Sequence, residues 1–161
     1  MQHPWLDLQA MARAVSAKGS PLDNCVAFLG GTVRPICRPS RNQRLVFNGH
    51  KRQHALKFQS LMYPNGLIGH LFRPMSGRPH DSVLLRGSGL MPLFAAAAPN
   101  FTMYGDNAYP MLHHLITPYR RFNLTPNRNA FNREMTRVRV SVEWGFGSII
   151  QQFAFSDFKK N

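Results

Sequence analysis

Apolar residues near the start of the chain recur at steps of three and four. Trp5, Leu8, Met11, Ala12 and Val15 form one stripe of a helix over His3–Lys18. Pro4 suits a first turn, and Gly19-Ser20-Pro21 stops the run. The pattern then changes. Cys25–Leu29 is continuously apolar, as in a buried strand, and Gly30-Gly31-Thr32 ends it in a turn or bulge. Residues 33–54 are rich in Arg, Asn, Pro and His and read as loop and solvated edge. Ala55–Tyr63 and Leu67–Phe72 flank Pro64-Asn65-Gly66, which predicts a hairpin. Asp81-Ser82 reads as the cap of a short helix, followed by a second helical stretch around Leu90–Ala98. Phe101–Tyr104 is a short strand ending at Gly105-Asp106, and Pro110–Ile116 resembles a short helix. The last segment carries two periods at once. Val138, Val140, Val142, Trp144 and Phe146 alternate as in a strand, whereas Phe131, Met135, Val138, Val142 and Ile149 fit a helical stripe. Local pattern favours the strand.

At 161 residues and 43% hydrophobic, the chain suits one domain with a sizeable core. Its longest apolar runs fall well short of the roughly 18 residues that span a bilayer, and no membrane partner is expected. The N-terminus lacks an apolar signal region. Two cysteines, Cys25 and Cys37, make neither a disulfide framework nor a zinc site. Charge changes the picture most: 20 Lys+Arg against 7 Asp+Glu give a net charge of +13. Such a field favours a polyanion, nucleic acid first. No carboxylate occurs between Asp23 and Asp81, an interval that includes Arg34, Arg38, Arg41, Arg44, Lys51 and Arg52. That basic stretch is the candidate phosphate-contacting surface.

The scarcity of acids narrows the search for chemistry. Asp106 stands at the end of a strand-like run, where open α/β sheets gather functional groups; a turn aspartate ahead of Pro110 is the competing reading. Glu143 lies among Val140, Val142, Trp144 and Phe146, a setting in which a carboxylate needs a partner or a metal. Pairing with Arg139, or a solvent-facing position, is its alternative. Asp81 reads first as a helix cap. His50, His54, His113 and His114 lack the further ligands of a zinc set, and neither a phosphate-binding loop nor a nucleophile elbow is present.

Several motifs, taken in order, resemble the DDE superfamily endonucleases of the Harbinger transposase-derived type. Phe28-Leu29-Gly30-Gly31-Thr32 is similar to their first-aspartate strand end, and Tyr104-Gly105-Asp106-Asn107-Ala108-Tyr109-Pro110 to their second-aspartate motif. Arg139–Gly147 is similar to their glutamate motif; Asn48–Arg52 and His80-Asp81-Ser82 also match in order. The resemblance runs from about residue 20 to the end. It implies an α/β, ribonuclease-H-like mixed sheet flanked by helices, with residues 1–19 as a preceding helix and 20–161 as a single nuclease-like core. It also implies that 130–152 is helix, against the local pattern.

The resemblance further implies a divalent-metal-dependent DNA endonuclease, holding Mg²⁺ or Mn²⁺ through Asp106 and Glu143, with Asp81 as an auxiliary ligand. The family's first acid falls on Gly30, which offers no oxygen, so cleavage is expected to be lower by orders of magnitude or absent. Asp23 lies at the opposite end of the strand, on the order of 20 Å away, and does not substitute. Arg73 stands where the family more often has glycine. The family pattern continues past Asn161 and begins before residue 1, so a core clipped at both ends is expected, with Phe153, Phe155 and Phe158 exposed. DNA is the expected partner, with a separate protein supplying the DNA-binding module, and nuclear residence follows. The alternative is a non-catalytic nucleic-acid-binding module acting through charge alone.

Overall fold

The N-terminal stripe folds as α1, Leu8–Ala17, burying Met11, Ala12 and Val15; the helix starts at Leu8, and His3, Pro4 and Trp5 lie outside the described residues. Asp7 caps it, its carboxylate accepting the Ala10 amide at 2.9 Å and satisfying one of the open donors of the first turn. Gly19, at φ +94, takes the left-handed conformation that ends the helix. The computed structural model describes residues 7–76 and 79–152, with residues 123 and 141–152 described by backbone course only. Phe153, Phe155 and Phe158, on which an exposed apolar end was expected, lie outside the described residues.

Strand β1 spans Cys25–Pro35 and does not stop at Leu29. The expected turn at Gly30-Gly31-Thr32 is strand interior instead. Its backbone is paired antiparallel to β3, Gln53–Met62, in an unbroken register from Phe28↔Met62 to Pro35↔Ala55. Neither glycine has a positive φ. Residues 33–54 are likewise more ordered than a loop: they contain the end of β1, a short helix α2 (Gln43–Val46) and β2 (Phe47–Asn48), which pairs with β3. The hairpin forms as predicted, with β4 at Ile68–Ser76 and Gly66 at φ +82 in the turn.

Helices α3 (Asp81–Ser88) and α4 (Leu90–Ala97) are separated by Gly89 at φ +64. Strand β5 is Thr102–Tyr104. The predicted helix at Pro110–Ile116 is absent. Leu112 and Leu115 exchange backbone hydrogen bonds of 2.9 and 3.1 Å, bending the chain back so that β6, Leu115–Ile116, pairs parallel to β5. The final helix α5 runs Pro126–Gln152, as the family resemblance implied and the local alternation did not. Burial shows why: Val138 is 3% exposed and Val140 45%, whereas a strand would bury both on one face.

Among the described residues, six strands form a mixed sheet in the order β2-β3-β1-β5-β6, with β4 also on β3. β1, β5 and β6 are mutually parallel; β3 runs against β1 and β4. One apolar cluster joins Ala27 and Leu29 to Met11, Ala12, Leu85, Leu90 and Phe94, under α1, α3 and α4. A second joins Phe28 and Tyr104 to Met135 and Val138 of α5, with Val15 of α1. A mixed sheet between helices is the arrangement of the ribonuclease-H-like fold. No helix of the described residues is long and apolar enough to cross a membrane.

Candidate active site

Parallel pairing places the site. Phe28 of β1 is in register with Tyr104 of β5. Two residues further along the chain from this pair stand Gly30, inside β1, and Asp106, two residues past the carboxyl end of β5, the two parallel strands being neighbours in the sheet. The carboxyl ends of such strands are where ligands collect in an α/β sheet. Edge-to-face rings, Phe28 on Tyr104 at 6.5 Å and Tyr104 on Phe131 at 6.4 Å, seat α5 across these strands. The helix brings Arg139 to Asp106, with Nη2 3.8 Å from Oδ2. One turn further on, helical periodicity sets the backbone of Glu143 on the Arg139 side of α5; its side chain lies outside the described residues.

Asp106 is both a strand-end acid and a turn residue. Its Oδ1 accepts the Ala108 amide at 2.8 Å and its carbonyl accepts the Tyr109 amide at 3.2 Å. The two sequence readings of this aspartate describe one geometry.

The adjacent glycines differ. A Cβ at Gly30 would meet nothing within 4 Å. A Cβ at Gly31 would lie 2.6 Å from Asp81 Oδ1 and 3.5 Å from the Tyr109 hydroxyl. Successive residues of a strand face opposite ways, so Asp81 sits behind Gly31, on the face away from the one Gly30 presents. There Asp81 pairs with Lys57 of β3, Nζ to Oδ1 2.9 Å, and Lys57 also donates to the Pro79 carbonyl at 3.3 Å. Asp81 does not cap α3: the cap position is His80, which makes no side-chain cap bond, and Asp81 is the first helical residue.

Tyr109 is the residue that sequence reasoning passed over. It is buried, and its hydroxyl has no hydrogen-bond partner among the described residues. Burial drives its pKa upward, the charges of Asp81 and Asp106 push it further, and Arg139 opposes them. The phenol therefore stays protonated between the two carboxylates. Its only signal in the sequence was its place three residues after Asp106.

The described donors do not fit a pair of divalent ions. Asp106 has one carboxylate oxygen on an amide and the other beside a guanidinium. Among the described residues no group of three or more His, Cys, Asp or Glu is placed to hold a metal. The basic residues lie along the adjoining edge: Arg34 is half-buried on β1, whereas Arg38, Arg41, Arg44, Lys51 and Arg52 are exposed. A cleft of about 430 Å³, lined in part by His50, Lys51, Lys57 and His80, joins that segment to the ion pair behind Gly31.

Residues 29–160 match the family described as DDE superfamily endonuclease. Over 131 residues the chain is 28% identical to the probable transposase for insertion sequence element IS702 of Microchaete diplosiphon. That alignment takes in 76% of this chain and 45% of the relative, so the chain spans less than half the length of the protein it matches. No solved structure matches. The family match covers the end of β1, Asp106 and all of α5, and the superfamily is established where the Harbinger type remains a likeness of motifs: this chain belongs to the DDE superfamily endonucleases.

Proposed function

We propose that this chain is a transposase-derived DDE nuclease domain that binds DNA through its basic edge and in which phosphodiester cleavage is impaired. The observation that carries the reading is Gly30, two residues past the Phe28–Tyr104 pair of the parallel strands that lead to Asp106, with open space where a first acid would project. Enzymes of this family typically use divalent metal. When bound, such metal would supply activation of the attacking oxygen and stabilisation of the leaving one, and hard carboxylate oxygens suit Mg²⁺ or Mn²⁺. Gly30 offers no side-chain oxygen to hold such an ion. Asp106 and Glu143 are the acids we assign to the catalytic centre.

The test compares nicking of supercoiled DNA in Mg²⁺ or Mn²⁺ by this chain and by Gly30→Asp. The substituted chain is expected to cleave faster by orders of magnitude. Equal cleavage by the two would overturn the impairment.

A second reading, a non-catalytic DNA-binding module, draws on the ion pairs Asp106–Arg139 and Asp81–Lys57, in which these two acids already face cations of the chain. It expects Asp106→Asn and Glu143→Gln to leave Mn²⁺ affinity unchanged. Measurable Mn²⁺ binding that disappears in those variants removes it.

A further inference from the structure

Residues 33–54, whose composition predicts a loop, fold into a shaped surface. Phe47 of β2 pairs across the ladder with His54 of β3, and their rings meet edge to face, centroids 5.4 Å apart and planes at 67°. Phe47 remains 41% exposed, so this aromatic corner is open to solvent. Arg38, Gln43, Arg44 and Gly49 complete the lining of a hollow of about 720 Å³ over these two rings. That is within the size range of small-ligand sites, roughly 300–1,000 Å³.

The lining has a definite chemistry. It contains two guanidiniums, a neutral amide and two flat rings and, among the described residues, no carboxylate. Arg38 is held by its Nε donating to Gln43 Oε1 at 2.9 Å, a bond that uses one of the five donors of the group. Gly49 leaves the rim low, with nothing within 4 Å of where a Cβ would stand. The turn that brings Phe47 back over His54 is fixed by Asn48, whose Oδ1 accepts the Lys51 amide at 2.9 Å, and by Arg52 at φ +51. A non-glycine residue in the left-handed region is unusual and gathers at ligand-holding segments.

A flat π face with positive charge on its rim matches a nucleobase carried on phosphates. Bases inside a duplex have both faces covered, so only an unpaired base can enter. We propose that the Phe47–His54 corner, with Arg38 and Arg44 on its rim, holds one unpaired nucleobase of a DNA strand and its flanking phosphates. This rests on the DNA-binding reading above and adds to it a preference for DNA with an unstacked nucleotide, such as a frayed or cut end.

Three labelled DNAs test it by fluorescence anisotropy with the whole chain: a blunt duplex, the same duplex with a short single-stranded tail, and that tail built from abasic units that keep every phosphate. Stacking of one base on an aromatic side chain should tighten binding of the tailed duplex about ten- to a hundredfold over the blunt one. The gain should vanish with the abasic tail and in Phe47→Ala, and persist in Phe47→Trp. Phe47→Ala should bind the blunt duplex as the unaltered chain does. An abasic tail that binds as tightly as the natural one overturns the proposal, as does a tail preference that survives Phe47→Ala. A polyglutamate peptide that competes as well as the tail also overturns it, because the surface then takes any polyanion. Failure to bind any of the three DNAs overturns the DNA-binding reading itself, a result distinct from equal binding to all three.

Discussion

Alanine at Gly31 and alanine at Gly30 should differ sharply, although the two glycines are neighbours in one strand. A Cβ at Gly31 would lie 2.6 Å from Asp81 Oδ1 and 3.5 Å from Asp81 Cγ, closer to the oxygen than real Cβ atoms come. Asp81 has little freedom to retreat. It opens α3, is buried, and is bonded to Lys57 at 2.9 Å, with the two side chains only 12% and 13% exposed. Either the carboxylate leaves the ammonium or β1 pulls away from β3. Overfilling a packed site costs roughly 1–3 kcal/mol, and leaving one member of a buried pair alone roughly 3–5 kcal/mol. Some solvent still reaches both charges, which sets the expectation at about 2 kcal/mol. At this chain length each kcal/mol moves the melting temperature about 2–4 °C, so Gly31→Ala should melt about 4–8 °C lower. Gly30→Ala meets nothing within 4 Å and should stay within about 0.5 kcal/mol of the parent. Thermal unfolding followed by circular dichroism at pH 7 reads both. Asp81→Ala completes the cycle: with Oδ1 gone, Gly31→Ala should cost at least about 1 kcal/mol less than it does alone. Equal melting of the two alanine variants, or simple additivity in the cycle, would refute the reasoning.

Two further outcomes are expected. Burial raises the Cys25 thiol from 9.0 to about 12 and the Tyr104 phenol from 10.0 to about 12, and drives Tyr109 up as well. The folded chain therefore keeps protons that the unfolded chain has released; this stability is whole below about pH 9 and is lost as pH climbs towards 12, by up to tenfold in the folding equilibrium per proton per pH unit. Urea unfolding between pH 8 and pH 11 should show that decline, and Tyr104→Phe should flatten it; a level profile in the parent chain contradicts the assignment. On the basic edge, Arg41→Ala and Arg52→Ala should each weaken duplex DNA binding regardless of sequence and lower the slope of log affinity against log salt by about 0.9. An unchanged slope removes that residue from the interface.

What the sequence disclosed of the fold follows how local each determinant is. The α1 stripe through Leu8, Met11, Ala12 and Val15 and the Pro64-Asn65-Gly66 hairpin depend on residues a few positions apart, and the chain folds there as its pattern predicts. The end of β1 does not. Gly30 and Gly31 carry the marks of a break, yet β3 supplies a partner for each, Ser60 and Gln59, which no local pattern reveals. Likewise the alternation along Val138–Phe146 and the stripe through Met135 are equally good local patterns. Packing against Phe28 and Tyr104 decides between them, and those rings arrive from strands far earlier in the chain.

The site was legible in its acids and illegible in their counter-charges. Asp106 could be picked out as a strand-end carboxylate, but Lys57 counted only as one more cation of a basic stretch, and its pairing with Asp81 exists only because β3 runs beside β1. The same is true of Phe47 and His54, joined by a turn whose left-handed residue is an arginine and so carries no turn signal. Counter-charges also decide what a substitution at Gly30 would mean. Beside Asp106 stands the Arg139 guanidinium, which offsets its charge. At a carboxylate that already faces a cation, a divalent ion gains less Coulombic energy to offset its loss of water. An aspartate at position 30 would add a carboxylate oxygen and one negative charge. Gly30→Ala changes neither, so a cation affinity that rises with Gly30→Asp and not with Gly30→Ala would show that charge and donor, rather than strand geometry, are what this active centre lacks.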